Sequence, residues 1–229
     1  MAQTPIRLIS SMATKGLLAE LATQFAAAPL PVQVEAVGGV DAARRVRQGE
    51  AFDGVVLAAG AIDSLIDSGH ALAGSRVDLV HSGVAVAVRE GSPQPAIDSE
   101  PALLDAVLSA QSVGYSTGPS GVQLLKLFER WGIQDRIAGK LVQAPPGVPV
   151  GSLVAHGQAE LGFQQLSELL ALPGIVVLGP LPAAVRIDTV FSAAVTSASA
   201  QPAAVRALLA MWASPAAAAA IRRHGMEPA

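Results

Sequence analysis

The chain contains no cysteine, so disulfide bonds, zinc–thiolate centres and a cysteine nucleophile are all excluded. Histidine is scarce as well: the four residues are His70, His81, His156 and His224, and none has a metal-ligand spacing such as HxxxH. We therefore expect no metal centre, and no motif in the sequence indicates another cofactor.

Charge and long apolar runs are also sparse. Only 14% of the 229 residues are charged and the net charge is −3, so no basic surface for nucleic acid is expected. Although 51% of the residues are hydrophobic, no uninterrupted apolar run reaches the roughly 18 residues that a bilayer-spanning helix needs. Nucleic-acid-binding and membrane-spanning classes are therefore not favoured.

The N-terminal stretch MAQTPIRLIS has neither the charged n-region nor the apolar h-region of a signal peptide. Two compartments stay open on this evidence. The protein is expected in the cytoplasm if the chain is native and full length, and in the periplasm if a leader was removed.

Strand and helix patterns alternate along the chain, which predicts α/β architecture with parallel sheets and helices on both faces. Residues 77–88 and 185–195 are β-prone runs longer than the average strand of about 5–6 residues. We expect them to be crossovers between two lobes, 1–82 plus 190–229 and 83–189. Because ligands of open α/β sheets bind beyond the carboxyl ends of the strands, a ligand cleft between the lobes is predicted.

Two segments, 6–25 and 112–133, share one pattern of apolar run, Ser/Thr-rich turn and amphipathic helix. Such a turn places hydroxyls and free backbone N–H groups at a helix N-terminus, where the helix dipole favours an anion. In the first turn the candidates are Ser10 and Ser11, for which a plain helix cap is the alternative. In the second turn they are Ser116, Thr117, Gly118, Ser120 and Gly121. No GKS or GKT follows, so nucleotide hydrolysis is not indicated.

Five further residues are candidates with ordinary structural alternatives. Tyr115, the sole tyrosine, precedes the second turn and is either a ligand contact or a core residue. Gln164 and Gln165 follow the strand-like ELGF and either reach a ligand or cap a helix. If the protein is an enzyme, His81 or Lys15 would carry a proton; a backbone-bonded histidine and a solvated lysine are the alternatives.

The chain resembles type II periplasmic solute-binding proteins, in the branch that binds molybdate. Segments in the family's usual order carry this resemblance over nearly the whole chain: ISSMATKGLLAELATQF, YSTGPSGVQLLKLFERWGI, VAHGQAELGFQQLSEL, VVLGPLP and SPAAAAAIRRHGMEPA. The resemblance implies a two-lobed fold with two crossover strands and an interlobe cleft. It also implies that an oxyanion is held by Ser10, Ser11, Gly38, Gly39 and the Ser116–Gly121 turn.

Two positions depart from the molybdate-binding pattern. Gly38-Gly39 stands where the family usually has a serine, and the stretch Gly162–Gln165 lacks the family's tyrosine. A neighbouring branch with GFQQ-like segments, which includes aconitate isomerase, is more similar to this chain. That similarity implies an organic carboxylate or another polyoxygenated ligand.

Three functions follow as hypotheses. The preferred one is a binding module that captures a small anion and, if exported, passes it to the membrane component of an ABC transporter. The second is an isomerase that moves a proton next to a carboxylate, with the two Ser-rich turns as the clamp. The third is a cytoplasmic ligand sensor, although no helix-turn-helix is left over after the two lobes are assigned.

Overall fold

The computed structural model describes residues 4–25 and 31–229. These residues form two compact units. Unit 1 contains the described residues of Met1–His81 together with Val190–Ala229, and unit 2 contains Ser82–Thr189. The chain passes from unit 1 to unit 2 within the strand Val77–Arg89 and returns within the strand Asp188–Val195.

The elements alternate along the chain as the sequence predicts. Up to the first passage they are β1 (Ile6–Ser11), α1 (Lys15–Gln24), β2 (Val32–Val37), α2 (Gly39–Arg47), β3 (Gly54–Ala58), α3 (Ala59–Asp67) and β4 (Val77–Arg89). Unit 2 continues with α4 (Glu100–Ser109), β5 (Val113–Tyr115), α5 (Pro119–Arg130), α6 (Gln134–Ile137), β6 (Leu141–Gln143), α7 (Val150–Ala155), β7 (Leu161–Gln165), α8 (Leu166–Leu169) and β8 (Ile175–Pro180). The return strand is β9 (Asp188–Val195), followed by α9 (Pro202–Trp212), α10 (Ala218–Arg223) and β10 (Met226–Pro228).

In unit 1 the strand order is β2-β1-β3-β9-β4, and β10 also pairs with β4. The central strand β1 runs parallel to both β2 and β3. Because successive strand residues face opposite sides, Leu8 packs in one cluster with Leu18 of α1, and Ile9 packs in another with Val46 of α2 and Ile62 of α3. Helices therefore cover both faces of this sheet.

Unit 2 repeats the arrangement around β5, which runs parallel to β6 on one side and β7 on the other. Phe163 of β7 packs edge to face on Phe128 of α5, with ring centroids 6.2 Å apart. The neighbouring Gly162 faces α7, where a methyl group on this glycine would lie 2.4 Å from Cγ2 of Val154. Helices α5 and α7 therefore lie on opposite faces of the sheet.

The strand expected over 185–195 begins later, at Asp188. Residues Ala183–Val185 form a 3₁₀ turn instead. The Val185 amide closes this turn by donating a hydrogen bond to the Pro182 carbonyl at 2.9 Å. Val185 is buried in the main core cluster of unit 2, and this burial favours the turn over continued strand pairing.

Among the described residues, no single helix has the length and hydropathy of a membrane span. The bent pair Pro202–Trp212 and Pro215–Arg223 reaches those values only when taken together, across a 59° bend.

Gly162 offers a test of the packing between β7 and α7. We expect Gly162→Ala to lower the free energy of unfolding by about 1–3 kcal/mol, because the added methyl group overlaps Val154 in a packed interior. Gly139→Ala is the matched control, since nothing lies within 4 Å of a methyl group there. Urea unfolding followed by circular dichroism measures both, and equal stabilities of the two variants would contradict this packing.

Candidate functional site

The carboxyl ends of three parallel strands meet at one edge of the unit 1 sheet. Ser11, the last residue of β1, pairs with Val37 at the end of β2, and Ser10 pairs with Val56 of β3. From β1 the chain connects to β2 on one side, and from β2 it crosses to β3 on the other. The connections therefore diverge between β1 and β3, which is the position where open α/β sheets bind ligands.

Ser11 carries the clearest chemical signal at this edge. The residue is 7% exposed, and its Oγ has no hydrogen-bond partner among the described residues. The Oγ of Ser10, in contrast, donates to the Ser11 carbonyl at 3.3 Å, as does Oγ1 of Thr14. An unsatisfied buried hydroxyl costs about 1–3 kcal/mol, so a ligand that accepts this hydrogen bond would recover that energy.

The Gly38-Gly39 turn lies directly beside Ser11. Gly38 is the N-cap of α2 and offers no side-chain cap, so the first backbone N–H groups of α2 depend on outside acceptors. A methyl group on Gly39 would lie 3.6 Å from Cβ of Ser11. The structure thus joins Ser11 to a helix start whose dipole favours negative charge.

A third segment at the same edge has no polar side chain and was not predicted. Strand β3 runs straight into α3 at Ala58-Ala59-Gly60, and the N-cap Ala58 makes no side-chain bond. The strand-like run GVVLA followed by small residues was the only available sequence signal. The start of α3 in this segment places further backbone N–H groups on the β3 side of the diverging connections.

In unit 2 the equivalent edge holds the Ser116–Gly121 turn. The Oγ atoms of Ser116 and Ser120 lie 3.0 Å apart, and either one can be the donor. Gly118 caps the 12-residue helix α5 without a side chain. A methyl group on Gly121 would lie 1.9 Å from the Ser116 carbonyl oxygen, so only glycine permits this close turn. Thr117 is exposed and Tyr115 is half-buried at the end of β5.

The two glutamines after ELGF form hydrogen bonds within unit 2, so their predicted contact with a ligand stays a prediction. Gln164 is 2% exposed, and its Oε1 accepts from the Gly151 amide at 3.1 Å. The amide of Gln165, which is also buried, bonds to Oγ1 of Thr189 at 2.9 Å. When its oxygen takes that bond, its nitrogen donates to the Ser82 carbonyl at 3.0 Å. Both side chains therefore serve strand packing.

Glu168, in the first turn of α8, is a titratable group that the sequence did not single out. Its Oε1 accepts from Nε2 of Gln164 at 2.8 Å. Burial disfavours the charged form and raises the pKa of Glu168 to about 7, and the hydrogen bond from Gln164 offsets only part of this effect. A carboxyl group with such a pKa exchanges protons near neutral pH.

The predicted proton carriers are less well placed. Lys15 is exposed as the first residue of α1, and His81 is partly exposed on β4. Within residues 4–25 and 31–229, no hydrogen bond or ion pair orients either side chain toward the strand ends, so their catalytic role stays a prediction. The same residues contain no group of three or more His, Asp or Glu side chains arranged to hold a metal ion.

Comparison with known proteins agrees with this architecture. The family described as "Bacterial extracellular solute-binding protein" matches residues 6–227. An aconitate isomerase from Pseudomonas sp. is 43% identical over 185 residues, which cover 80% of this chain and 70% of that protein.

Two solved structures show the same fold. The periplasmic molybdate-binding protein of Azotobacter vinelandii superposes with a TM-score of 0.80 at 21% identity, covering 96% of this chain and 98% of that one. A sulfate-binding protein from Mycobacterium tuberculosis H37Rv gives a TM-score of 0.82 at 17% identity, covering 99% of this chain and 87% of that one. The predicted periplasmic-binding-protein fold is confirmed, and the chain belongs to the family of bacterial extracellular solute-binding proteins.

Proposed function

We propose that this protein binds a small organic carboxylate at the carboxyl ends of its parallel strands, where each unit by itself presents a serine-containing turn. The observation that carries the proposal is the buried Oγ of Ser11, which has no partner among the described residues and lies beside the start of α2. A donor of this kind, next to free helix N–H groups, is complementary to an anionic oxygen.

The second turn supports the same chemistry. Ser116 and Ser120 share one hydrogen bond between their hydroxyls, so one hydroxyl hydrogen remains for an outside acceptor. The turn precedes the uncapped helix α5, and Gly121 lets its backbone come close to the Ser116 carbonyl. The site is therefore built from neutral donors, which satisfy an anion by hydrogen bonds and helix dipoles without a full counter-charge.

Sequence similarity supports one class of anion. The 43% identical relative is named for aconitate, whereas the oxyanion-binding structures are 21% and 17% identical. Gly38 and Gly39 also provide no side-chain hydroxyl at the turn beside Ser11, where molybdate-binding members usually have a serine. We accordingly favour a polycarboxylate over molybdate or sulfate.

Isomerisation of that carboxylate is the second candidate function, and the name of the same relative favours it. The family description "extracellular" favours the exported form of the protein. In that form, the partner would be the membrane component of an ABC transporter. No observation favours the cytoplasmic sensor.

Ligand class can be tested with a thermal-shift panel of trans-aconitate, molybdate and sulfate. At about 100 times its Kd a ligand adds about 2.7 kcal/mol of stability, which corresponds to roughly 5–10 °C in Tm for a chain of this size. We expect trans-aconitate to give such a shift and the two oxyanions to give little. A larger shift with molybdate would contradict the carboxylate assignment.

Ser11→Ala tests the unpartnered hydroxyl. We expect the Kd for trans-aconitate, measured by calorimetry, to rise by about 10–100-fold, since a hydrogen bond to a charged group contributes about 1.5–3 kcal/mol. The unliganded variant should be as stable as the parent or slightly more stable, because the hydroxyl it removes has no partner.

The control is Ser68→Ala. In the parent, the hydroxyl of Ser68 donates to the Ser64 carbonyl at 2.7 Å. Here we expect a small loss of stability and unchanged binding. If Ser11→Ala behaves like Ser68→Ala, the hydroxyl of Ser11 is structural.

Gly121→Ala tests the turn in unit 2. The added methyl group would overlap the Ser116 carbonyl oxygen, so the turn must open and binding of trans-aconitate should fall at least about 10-fold, the equivalent of one lost hydrogen bond. Gly139→Ala is the control, because this residue of unit 2 lies outside the turn and nothing lies within 4 Å of a methyl group there. Parent-like binding by a folded Gly121→Ala protein would remove this turn from the site.

A further inference from the structure

We propose that Glu168 is the acid–base group that removes and returns a proton on an unsaturated polycarboxylate bound at the strand ends of unit 2. The inference rests on the proposed function, because it requires that the carboxylate binds at this edge. It goes beyond binding, since it assigns a proton-transfer step and the side chain that performs it.

The position of Glu168 follows from the topology of unit 2. It lies three residues beyond Gln165, the last residue of β7, and β7 borders β5 with Phe163 paired to Tyr115. The Ser116–Gly121 turn continues directly from β5 at the same sheet edge. Glu168 and the proposed carboxylate-binding turn therefore follow neighbouring strands.

The two connections leave this edge on opposite faces of the sheet. Helix α5 covers the face of Phe163, whereas Leu169 of α8 packs with Ala85 and Ala87 of β4. A methyl group on Gly151 of α7 would lie 3.1 Å from Cδ2 of Leu169, which places α8 on the α7 side. Doubly wound sheets hold their ligands between such diverging connections. Glu168 and the Ser116 turn follow the two neighbouring strands, β7 and β5, from which these connections leave.

Gln164 fixes the carboxyl group in one orientation. Its Oε1 accepts from the backbone N–H of Gly151 at 3.1 Å, so its Nε2 is the atom that faces Glu168, at 2.8 Å. Because Gln164 is almost fully buried, its amide has no freedom to turn away. Gln164 is thus a positioning residue that holds Oε1 of Glu168. Among the described residues no hydrogen bond is made to Oε2, the oxygen that would meet the ligand.

The proton affinity of Glu168 suits the step. Burial raises the pKa of Glu168 to about 7, so carboxylate and carboxylic acid are both populated near neutral pH. A general acid–base catalyst works best when its pKa is close to the operating pH. Neither Lys15 nor His81 has a comparable fixed orientation among the described contacts.

The step balances without a co-reactant. The carboxylate of Glu168 takes a proton from a CH₂ carbon that lies between a carboxylate and a C=C bond, and the C–H electron pair spreads over the allylic carbons and the attached carboxylate. The carboxylic acid of Glu168 then returns the proton to the far allylic carbon, so the double bond shifts and nothing is oxidised or reduced. The N-terminal N–H groups of α5 and the Ser116–Ser120 hydroxyls stabilise the transient negative charge.

Proton NMR of trans-aconitate in D₂O near neutral pH tests the proposal on the full chain. We expect the parent to exchange the CH₂ protons of the ligand for deuterium, with a rate that follows a titration near pH 7. Glu168→Gln should lower this rate by at least about 100-fold, the typical contribution of general acid–base catalysis. Its Kd for trans-aconitate, measured by calorimetry, should stay within a few-fold of the parent value.

Glu160→Gln is the matched control, because this carboxylate lies at the opposite, amino end of β7 and bonds to the Gln111 amide. It should exchange protons at the parent rate. If Glu168→Gln does not fold, Glu168→Asp replaces it; this variant keeps the charge but shortens the side chain, so slower exchange is expected.

Each outcome decides the question. A parent that binds trans-aconitate but exchanges no proton overturns the role of Glu168 and leaves the binding function intact. The same holds if Glu168→Gln exchanges protons as fast as the parent. A parent that does not bind trans-aconitate overturns the proposed function together with this inference.

Discussion

The hydrogen bonding of one central parallel strand on both of its edges is the constraint on which each unit depends. β1 is paired with β2 and β3, and β5 is paired with β6 and β7. Such a strand is buried on both faces, as Ile9 and Val113 show with no measurable exposure. The connections must then pass over opposite faces, and they leave a crevice at the carboxyl edge. In each unit, the position of the candidate site is therefore a result of strand order.

The candidate sites at the carboxyl edges of the two units use neutral donors, and these donors have local costs in stability. Ser11 keeps a buried hydroxyl without a described partner, and Gly38 and Gly118 begin their helices without side-chain caps. Gly121 gives up a side chain so that its backbone can approach the Ser116 carbonyl. Each feature has a local cost in stability, and together they leave hydrogen-bond donors available for the anion that we propose.

The Gln164–Glu168 pair shows how the same fold can support chemistry in addition to capture. A glutamine that only faced solvent would leave the neighbouring carboxyl group free to rotate. Here the Gly151 amide holds Oε1 of Gln164, so that its Nε2 meets Glu168. Burial then shifts the carboxyl group toward its neutral form. A carboxyl group held in this way has the orientation and proton affinity that the proposed proton transfer requires.

The sequence by itself determined the α/β alternation and the two Ser-rich strand–turn–helix segments, because periodicity and turn chemistry are local properties. It also indicated Ser11 and Ser116–Gly121 as anion-binding candidates. Only the tertiary structure decided that Ser11 meets Gly39, that Gln164 is already engaged, and that Glu168 is desolvated. Those facts depend on neighbours supplied by distant parts of the chain, and burial and hydrogen-bond satisfaction are set by such neighbours rather than by adjacent residues.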